Sequence, residues 1–226
     1  VRADVRSYFV GNEKQRAVEL AERLESGAAV ALISDAGMPV VADPGLTAVQ
    51  AAISVGAEVT AVPGPSAATT ALAVSGLPAE RFVFEGFLPR KGKERTVRIE
   101  ALNEERRTAV LFAAKSRLVA DLTDLAQVLG ERRIVVAREL TKAFEEVWRG
   151  SLPEAAEHWS ACEARGEFTL VIEGARPVKA DLDRIVAEAL DAIEEGESMA
   201  DAVRRIASES GVSRRDLYEA VLASRP

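Results

Sequence analysis

The sequence predicts an α/β protein in two α/β lobes, closed by a small helical extension at the carboxyl end. Three observations carry this. Short apolar runs recur between segments whose apolar residues follow i, i+3, i+4 spacing, so strand and helix patterns alternate. The first run, AAVALI (28–33), is unbroken by polar residues, the pattern of a strand covered on both faces and hence of a parallel sheet. The first two runs each open into a loop dense in glycine and proline, and in open α/β sheets ligands bind outside the carboxyl ends of the strands.

Taken in order, Asn12 is placed to cap a helix in which Ala17, Val18, Leu20, Ala21 and Leu24 share a face, and Gly27 stops it. AAVALI follows as a strand and ends in SDAGMPVVADPG (34–45). Leu46 to Val55 reads as a helix and EVTAV (58–62) as the next strand, which opens into VPGPSAATTALAVSGLP (62–78) with a helix start inside it. Leu77-Pro78 enforces an extended connection and marks the lobe boundary. Beyond it, FVFEGF (82–87), TAVLF (108–112), RIVVA (133–137) and FTLVI (168–172) read as strands with helices between them, the first helix being entered through the basic segment PRKGKERTVR (89–98). After Gly174 the composition turns to Ala, Glu, Asp and Arg, with helical periodicity over about 178–195, 198–209 and 213–223. Ser198 and Ser213 are the expected caps there, and Ser213 with Asp216 matches an S-x-x-D box. The expected division is an amino-terminal lobe over 1–79, a carboxyl-terminal lobe over 80–175 and a helical extension over 176–226.

With 226 residues, 48% hydrophobic and 29% charged, the chain can bury a core and is neither disordered nor fibrous in composition. No stretch reaches the roughly 18 apolar residues of a spanning helix and no basic, then apolar, leader opens the sequence, so it reads as a soluble cytoplasmic protein. Cys162 is the single cysteine and His158 the single histidine. An internal disulfide is therefore excluded, and the two residues, four apart, lack the further ligands a zinc site needs. A hydrolase built on histidine would have one ring to use. The net charge of −7 argues against indiscriminate coating of nucleic acid, so any RNA contact must be local. Positive charge does concentrate at Arg90, Lys91, Lys93, Arg95 and Arg98, opposed there by Glu94, and is followed by Arg106 and Arg107; this is either a phosphate-binding surface or a solvated helix face.

In the first loop Asp35 can accept hydrogen bonds from a ligand amine or hydroxyl, while Gly37 lets the backbone come close; a tight turn explains the same string. In the second loop Gly64, Pro65 and Ser66 stand at a helix start whose free N–H groups suit a carboxylate, with ordinary capping as the bland alternative. Neither G-x-G-x-x-G nor G-x-x-x-x-G-K-[ST] occurs, so the standard nucleotide-binding motifs are missing. Glu145 and Glu146 are candidate bases, or a solvated acidic pair.

Together, ISDAGMPVVADPG (33–45), VPGPSAATTALAVSGLP (62–78), FEGFLPRKGKER (84–95), ARELTKAFEEVWRG (137–150) and GEFTLVIEG (166–174) resemble the tetrapyrrole methylase superfamily. Within it they are most similar to the ribosomal RNA small subunit methyltransferase I family, and GVSRRDLYEAVL (211–222) resembles that family's helical carboxyl-terminal extension. The resemblance implies a two-lobed tetrapyrrole methylase-like fold with S-adenosylmethionine in the cleft between the lobes, a homodimer, and 2'-O-methylation of a cytidine ribose in 16S rRNA of the small ribosomal subunit. By motif position, Asp35, Ala36, Gly37, Met38, Pro65, Ser66 and Ala67 would line the cofactor pocket from the first lobe. Glu139, Leu140, Thr141, Glu167, Phe168 and Thr169 would complete it from the second. Arg90, Lys91 and Lys93 match the family's basic segment and would face the RNA.

Two departures from the family pattern stand out. The family's opening strand with its TPIGN-like loop and the AEDTR-like segment have no counterpart here; the sequence joins the pattern at Asn12 and Glu13, which implies a first lobe short of one core strand and part of the active site. LFAAKSR (111–117) carries Ala113 where the family has glutamate and Lys115 where proline is common. Methyl transfer needs an in-line approach more than a strong nucleophile, and the 2'-hydroxyl proton has three candidate acceptors, Asp35, Glu85 and Lys142. Two other readings stay open: a porphyrin or corrin C-methyltransferase, and a non-catalytic ribosome-binding module.

Overall fold

The structure, a computed structural model, describes residues 4–175, 182–210 and 212–224. Helix α1 (Glu13–Glu25) ends as the sequence indicates. Gly27 takes a φ of +84°, its N–H donates to the Leu24 carbonyl, and the Ala28 N–H donates to that of Arg23, the two bonds of a Schellman stop. Asn12 does not cap α1 with its side chain. Its Oδ1 accepts from the Phe9 N–H at 2.8 Å and its Nδ2 donates to the Ser7 carbonyl at 3.1 Å, which fastens the preceding turn instead. α1 packs against α2 (Leu46–Ser54), and Glu13 Oε1 accepts from the Gly45 N–H at 3.0 Å where the first Gly/Pro loop turns into that helix.

The runs AAVALI (28–33) and EVTAV (58–62) form no strands, which corrects the sequence expectation. Neither has a ladder partner among the described residues, and Ile33 and Val62 are 80% and 86% exposed. An apolar run offers a surface for burial; without a neighbouring strand to take its N–H and C=O groups it does not become one.

Beyond residue 80 the four expected strands form. β1 (Phe82–Phe87), β2 (Thr108–Ala114), β3 (Arg133–Arg138) and β5 (Glu167–Ile172) join β4 (Glu146–Ser151) in one sheet of order β1-β2-β5-β3-β4. Only β1 and β2 run parallel; the other three pairings are antiparallel, so the parallel sheet inferred from the first run is replaced by a mixed one. β4 escaped the sequence reading because EVWRGS is a partly buried edge strand with little apolar content, placed by its hairpin pairing with β3.

The unbroken runs have a clear cause: both faces of this sheet are covered. Leu111, Ile134, Val136, Leu170 and Ile172 face one way, into a core with α4 (Lys93–Glu104), α5 (Leu118–Leu129) and α6 (Leu152–Ser160), centred on Leu122, Leu125, Leu152 and Trp159. Their strand neighbours Val110, Val135, Ala137 and Val171 face the other way, onto Ala68, Ala71 and Leu72 of α3 (Ala67–Ser75). α3 is the helix that follows the second Gly/Pro loop, so its packing brings that loop to the sheet. α6 is held by a capping box: Ser151 Oγ accepts from the Glu154 N–H, and the Glu154 carboxylate accepts from the Ser151 N–H at 2.7 Å.

α7 (Leu182–Glu194), α8 (Met199–Ser210) and α9 (Arg214–Ala223) form a helical carboxyl-terminal portion around Ile185, Ala189, Val203, Ile206, Leu217 and Val221. Ser198 and Ser213 accept from the Asp201 and Asp216 N–H groups at 3.2 and 3.5 Å, the caps the sequence indicates. The start of the expected helix over 178–195 lies outside the described residues. Among the described residues no helix is long and apolar enough to cross a membrane.

Candidate functional site

The two Gly/Pro loops meet. A Cβ placed on Gly37 would stand 3.8 Å from the Pro65 carbonyl oxygen, and one on Gly64 would stand 3.8 Å from Met38 Sδ. The first loop is turned by Ser34, whose Oγ donates to the Ala36 and Gly37 carbonyls, leaving Asp35, Ala36 and Gly37 exposed. Farther along, the same loop reaches the sheet: a Cβ on Gly86 would lie 3.9 Å from that of Ala42. Gly86 sits at a register shift in β1 with φ +62°, a bulge that glycine permits. The second loop delivers Pro65 and Ser66 to the start of α3. Ser66 is extended there and its side chain makes no cap, while the first helical bond runs from the Thr70 N–H to the Ser66 carbonyl. The N–H groups of Ala67, Ala68 and Thr69 therefore have no partner within the helix.

The second half is built around the turn between β3 and β4. Glu139 and Glu167 lock together: the Glu139 N–H donates to the Glu167 carbonyl at 2.9 Å, and the Glu167 N–H donates to Glu139 Oε1 at 2.9 Å. Lys142 Nζ spans both side chains, 3.1 Å from Glu139 Oε1 and 2.8 Å from Glu167 Oε2. The Thr141 N–H donates to Glu145 Oε2 at 2.6 Å, and Glu146 pairs with Arg138 at 3.3 Å, so the two glutamates weighed as bases have structural work. Leu140 packs into the same apolar cluster as Ala68 and Ala71 of α3, which joins this turn to the helix carrying Ser66 and Ala67. Phe168 and Thr169 are buried in mid-sheet between β2 and β3, Phe168 edge-on to Trp159 at 5.2 Å, so their main-chain groups are committed to the ladders.

Backbone strain singles out the same two segments. Among the described residues the non-glycine positive φ values are Val40 (75°), Ala42 (56°), Glu139 (49°) and Thr141 (65°). For β-branched Val and Thr this is a genuine outlier, with a cost on the order of 1–3 kcal/mol that persists only where the surroundings impose it, as at ligand-binding turns. Sequence reading had no signal for Val40 or Ala42. It also missed the Lys142 bridge, although the i, i+3 spacing of Glu139 and Lys142 was a readable hint.

The basic run splits in two. Arg90, Lys91 and Lys93 are exposed, whereas Arg95 is 6% exposed and turned inward. Arg95 lies 2.8 Å from Asp121 and 2.7 Å from Asp124, and its Nη1 donates to the Pro89 carbonyl at 3.0 Å, tying the start of the basic segment to α5. Burial pushes the Asp121 carboxyl up from its ordinary value, against the opposing pull of Arg95. Arg98 pairs with Glu85 at 2.9 Å.

Of the three candidate proton acceptors, Glu85 is thus paired. Lys142 is pushed up by hydrogen bonding to Glu167 and then to Glu139, which holds it protonated. Glu139 is held below the usual carboxylate range, first by the Glu167 backbone N–H and next by Lys142. Asp35 has no hydrogen-bond or ion-pair partner among the described residues. His158 stacks on Trp148 with ring centroids 5.5 Å apart, and Cys162 is exposed; among the described residues no group of three or more His, Cys, Asp or Glu could hold a metal. Ala113, where the resemblance leads one to expect glutamate, is buried on β2 opposite Phe168.

The family described as Tetrapyrrole (Corrin/Porphyrin) Methylases matches residues 3–156. A protein of Mycobacterium tuberculosis (strain CDC 1551 / Oshkosh) named Ribosomal RNA small subunit methyltransferase I is 47% identical over 221 residues, covering 97% of this chain and 77% of that one. A protein of the same name from Synechocystis sp. is 41% identical over 217 residues, 94% of this chain and 78% of its own. Among solved structures, the methyltransferase CobJ aligns with a TM-score of 0.56 at 21% identity over 72% of each chain. The uroporphyrin-III-C-methyltransferase of Thermus thermophilus aligns at 0.51 with 20% identity over 71% of each; at these identities the likeness is one of fold. The motif segments that meet around α3 and the Glu139 turn are thus those of a known lineage, and the chain belongs to the tetrapyrrole methylases, within the ribosomal RNA small subunit methyltransferase I family.

Proposed function

We propose that this protein methylates small-subunit ribosomal RNA, placing a methyl group on the 2'-oxygen of a cytidine ribose in 16S rRNA with S-adenosylmethionine as donor. The observation that carries the reading is the 47% identity, over 97% of the chain, to a protein named for that class of reaction. The geometry supports it. The free first-turn N–H groups of α3 and the uncommitted Ser66 hydroxyl suit a carboxylate such as the donor's, and exposed main chain at Asp35, Ala36 and Gly37 suits hydrogen bonding to an adenosine. Met38, Pro65, Ala67 and Leu140 supply apolar surface, and Glu139, Thr141 and Glu167 form the locked turn facing α3 across the cluster they share through Leu140; Phe168 and Thr169 stiffen its base.

S-adenosylmethionine supplies an electrophilic methyl on a sulfonium. The chain's part is to orient and to exclude water, since holding donor and acceptor in line accounts for a large share of such a barrier. Arg90, Lys91 and Lys93 hold the RNA backbone by charge. Asp35 is the candidate acceptor of the 2'-hydroxyl proton whose side chain is in no ion pair, and Lys142, held charged by two carboxylates, serves the turn instead. The protein acts as a homodimer in the cytoplasm.

The deciding experiment is mass mapping of small-subunit rRNA from cells with and without the gene: one ribose methyl should disappear and return on complementation. An unchanged ribose methyl pattern overturns the reading. In the purified protein, Asp35→Asn should lower turnover while leaving calorimetric binding of S-adenosylmethionine unchanged.

A further inference from the structure

The helical extension carries charge in an uneven way. Over its described residues, ten Asp and Glu side chains face five arginines, yet three of the five converge on one open groove between α8 and α9. Arg204, Arg214 and Arg215 edge this groove of about 390 Å³, Ala200 and Val203 give it an apolar floor, and Tyr218, 44% exposed, stands beside them. The remaining acid is Glu219, which pairs with Arg215 at 3.0 Å; Arg204 pairs with Asp201 at 3.1 Å, and Arg214 has no ion pair among the described residues. Both pairs are exposed on both sides, so they contribute little and yield readily to a competing anion. An acidic helical unit that gathers its guanidinium groups around an exposed aromatic ring has the chemistry of single-stranded RNA recognition: guanidinium forks match phosphate oxygens, and a tyrosine ring takes a base face.

We propose that the α8–α9 groove is a second RNA contact, in which Arg204, Arg214 and Arg215 take backbone phosphates and Tyr218 stacks on a base. This rests on the reading of the protein as an rRNA methyltransferase and gives its extension a substrate-holding role apart from the loop of Arg90, Lys91 and Lys93. The arrangement is selective, because the next position along α8, Arg205, stays outside the groove, tied to Glu197 at 2.6 Å and to Glu209 at 3.7 Å.

The test is equilibrium binding of the full-length protein to a fluorescently labelled small-subunit rRNA fragment, by anisotropy at several salt concentrations. The Arg204→Glu/Arg214→Glu double variant should bind at least about tenfold more weakly, with a salt slope reduced by roughly 1.4, as expected for two lost phosphate contacts on a single strand. Tyr218→Ala should lose roughly fivefold or more with the slope unchanged. Arg184→Glu on α7 makes a like charge change outside the groove and should leave binding within about twofold; circular dichroism and S-adenosylmethionine binding check that every variant is folded. The proposal is overturned if the double variant and Tyr218→Ala bind as the parent does, or if their losses appear with assembled subunits and not with free rRNA, which would make the occupant a ribosomal protein. If the parent itself neither binds nor methylates rRNA, the functional reading falls first and this contact with it.

Discussion

FTLVI (168–172) and AAVALI (28–33) are both unbroken apolar runs, and they end differently. The first becomes the centre of the sheet, with β2 on one side, β3 on the other and helices over both faces. The second pairs with nothing among the described residues and leaves Val30 and Ile33 exposed. A run of apolar residues records a demand for burial; a strand exists where neighbours meet that demand and the backbone's hydrogen-bonding need together. The strained turns at Val40 and Ala42 lie in the half with little buried surface, while those at Glu139 and Thr141 are braced by the sheet and by the Lys142 bridge.

The contrast can be broken or sharpened by measurement. The largest effect is expected in the sheet core: Trp159→Ala should cost about 3–5 kcal/mol in urea unfolding, against less than about 0.5 kcal/mol for Ile33→Ala. A cost above about 2 kcal/mol at Ile33 would mean that the run is buried in the working protein and would break the comparison. Next, Asp121→Ala removes one partner from inward-turned Arg95 and should cost about 3 kcal/mol, near the low end for a buried pair because Asp124 remains. In the same variant RNA affinity should fall through the loosened Pro89 carbonyl while S-adenosylmethionine affinity holds, as read by calorimetry. A smaller effect is expected at Gly166, where φ is +92° and a Cβ would lie 2.5 Å from Glu139 Cγ. Gly166→Ala should cost about 1–2 kcal/mol and open the Glu139–Glu167 lock, weakening S-adenosylmethionine binding.

The smallest effect concerns acid. Arg107 beside Glu105, by its side chain first and its backbone N–H second, holds that carboxyl down at about 2. A carboxyl lowered in the folded state adds stability above its ordinary value near 4.5, and the gain is lost as the pH falls from there through about 2. The pair sits at the surface, with the Arg107 side chain 43% exposed and that of Glu105 21%, so screening keeps the gain below about 1 kcal/mol. Glu105→Gln should lower stability by that amount at pH 7, with the loss shrinking to nothing as the pH falls through about 2, so that the stability curve flattens across the window; a loss equally large at pH 2 and pH 7 would contradict the assignment.

Much of the site was legible before the fold. SDAGMP and VPGPS were expected to meet at the tips of two adjacent strands; those strands do not form, yet the structure still brings Gly37 to Pro65 and Met38 to Gly64. The basic segment was legible as charge but not as geometry: nothing local distinguishes Arg95, which is buried, from Arg90, which is exposed, because the acids that draw it inward lie on α5. Phe168 and Thr169 could be placed in a motif, yet their ladder on both sides depends on strands far away in sequence.

By itself the sequence determined the features that act over a few residues: the stop at Gly27, the caps at Ser198 and Ser213, the alternation of apolar faces in four strands, and the ordered motifs that mark the family. The tertiary structure alone decided the strand order, the edge strand β4, the lack of a ladder partner for residues 28–33 and 58–62 among the described residues, the positive φ of Val40 and Thr141, and which cations face outward. The physical reason is range. Propensity, capping and periodicity are set by neighbours within a turn or two, whereas pairing, burial of charge and imposed backbone strain depend on partners that only the folded chain brings together.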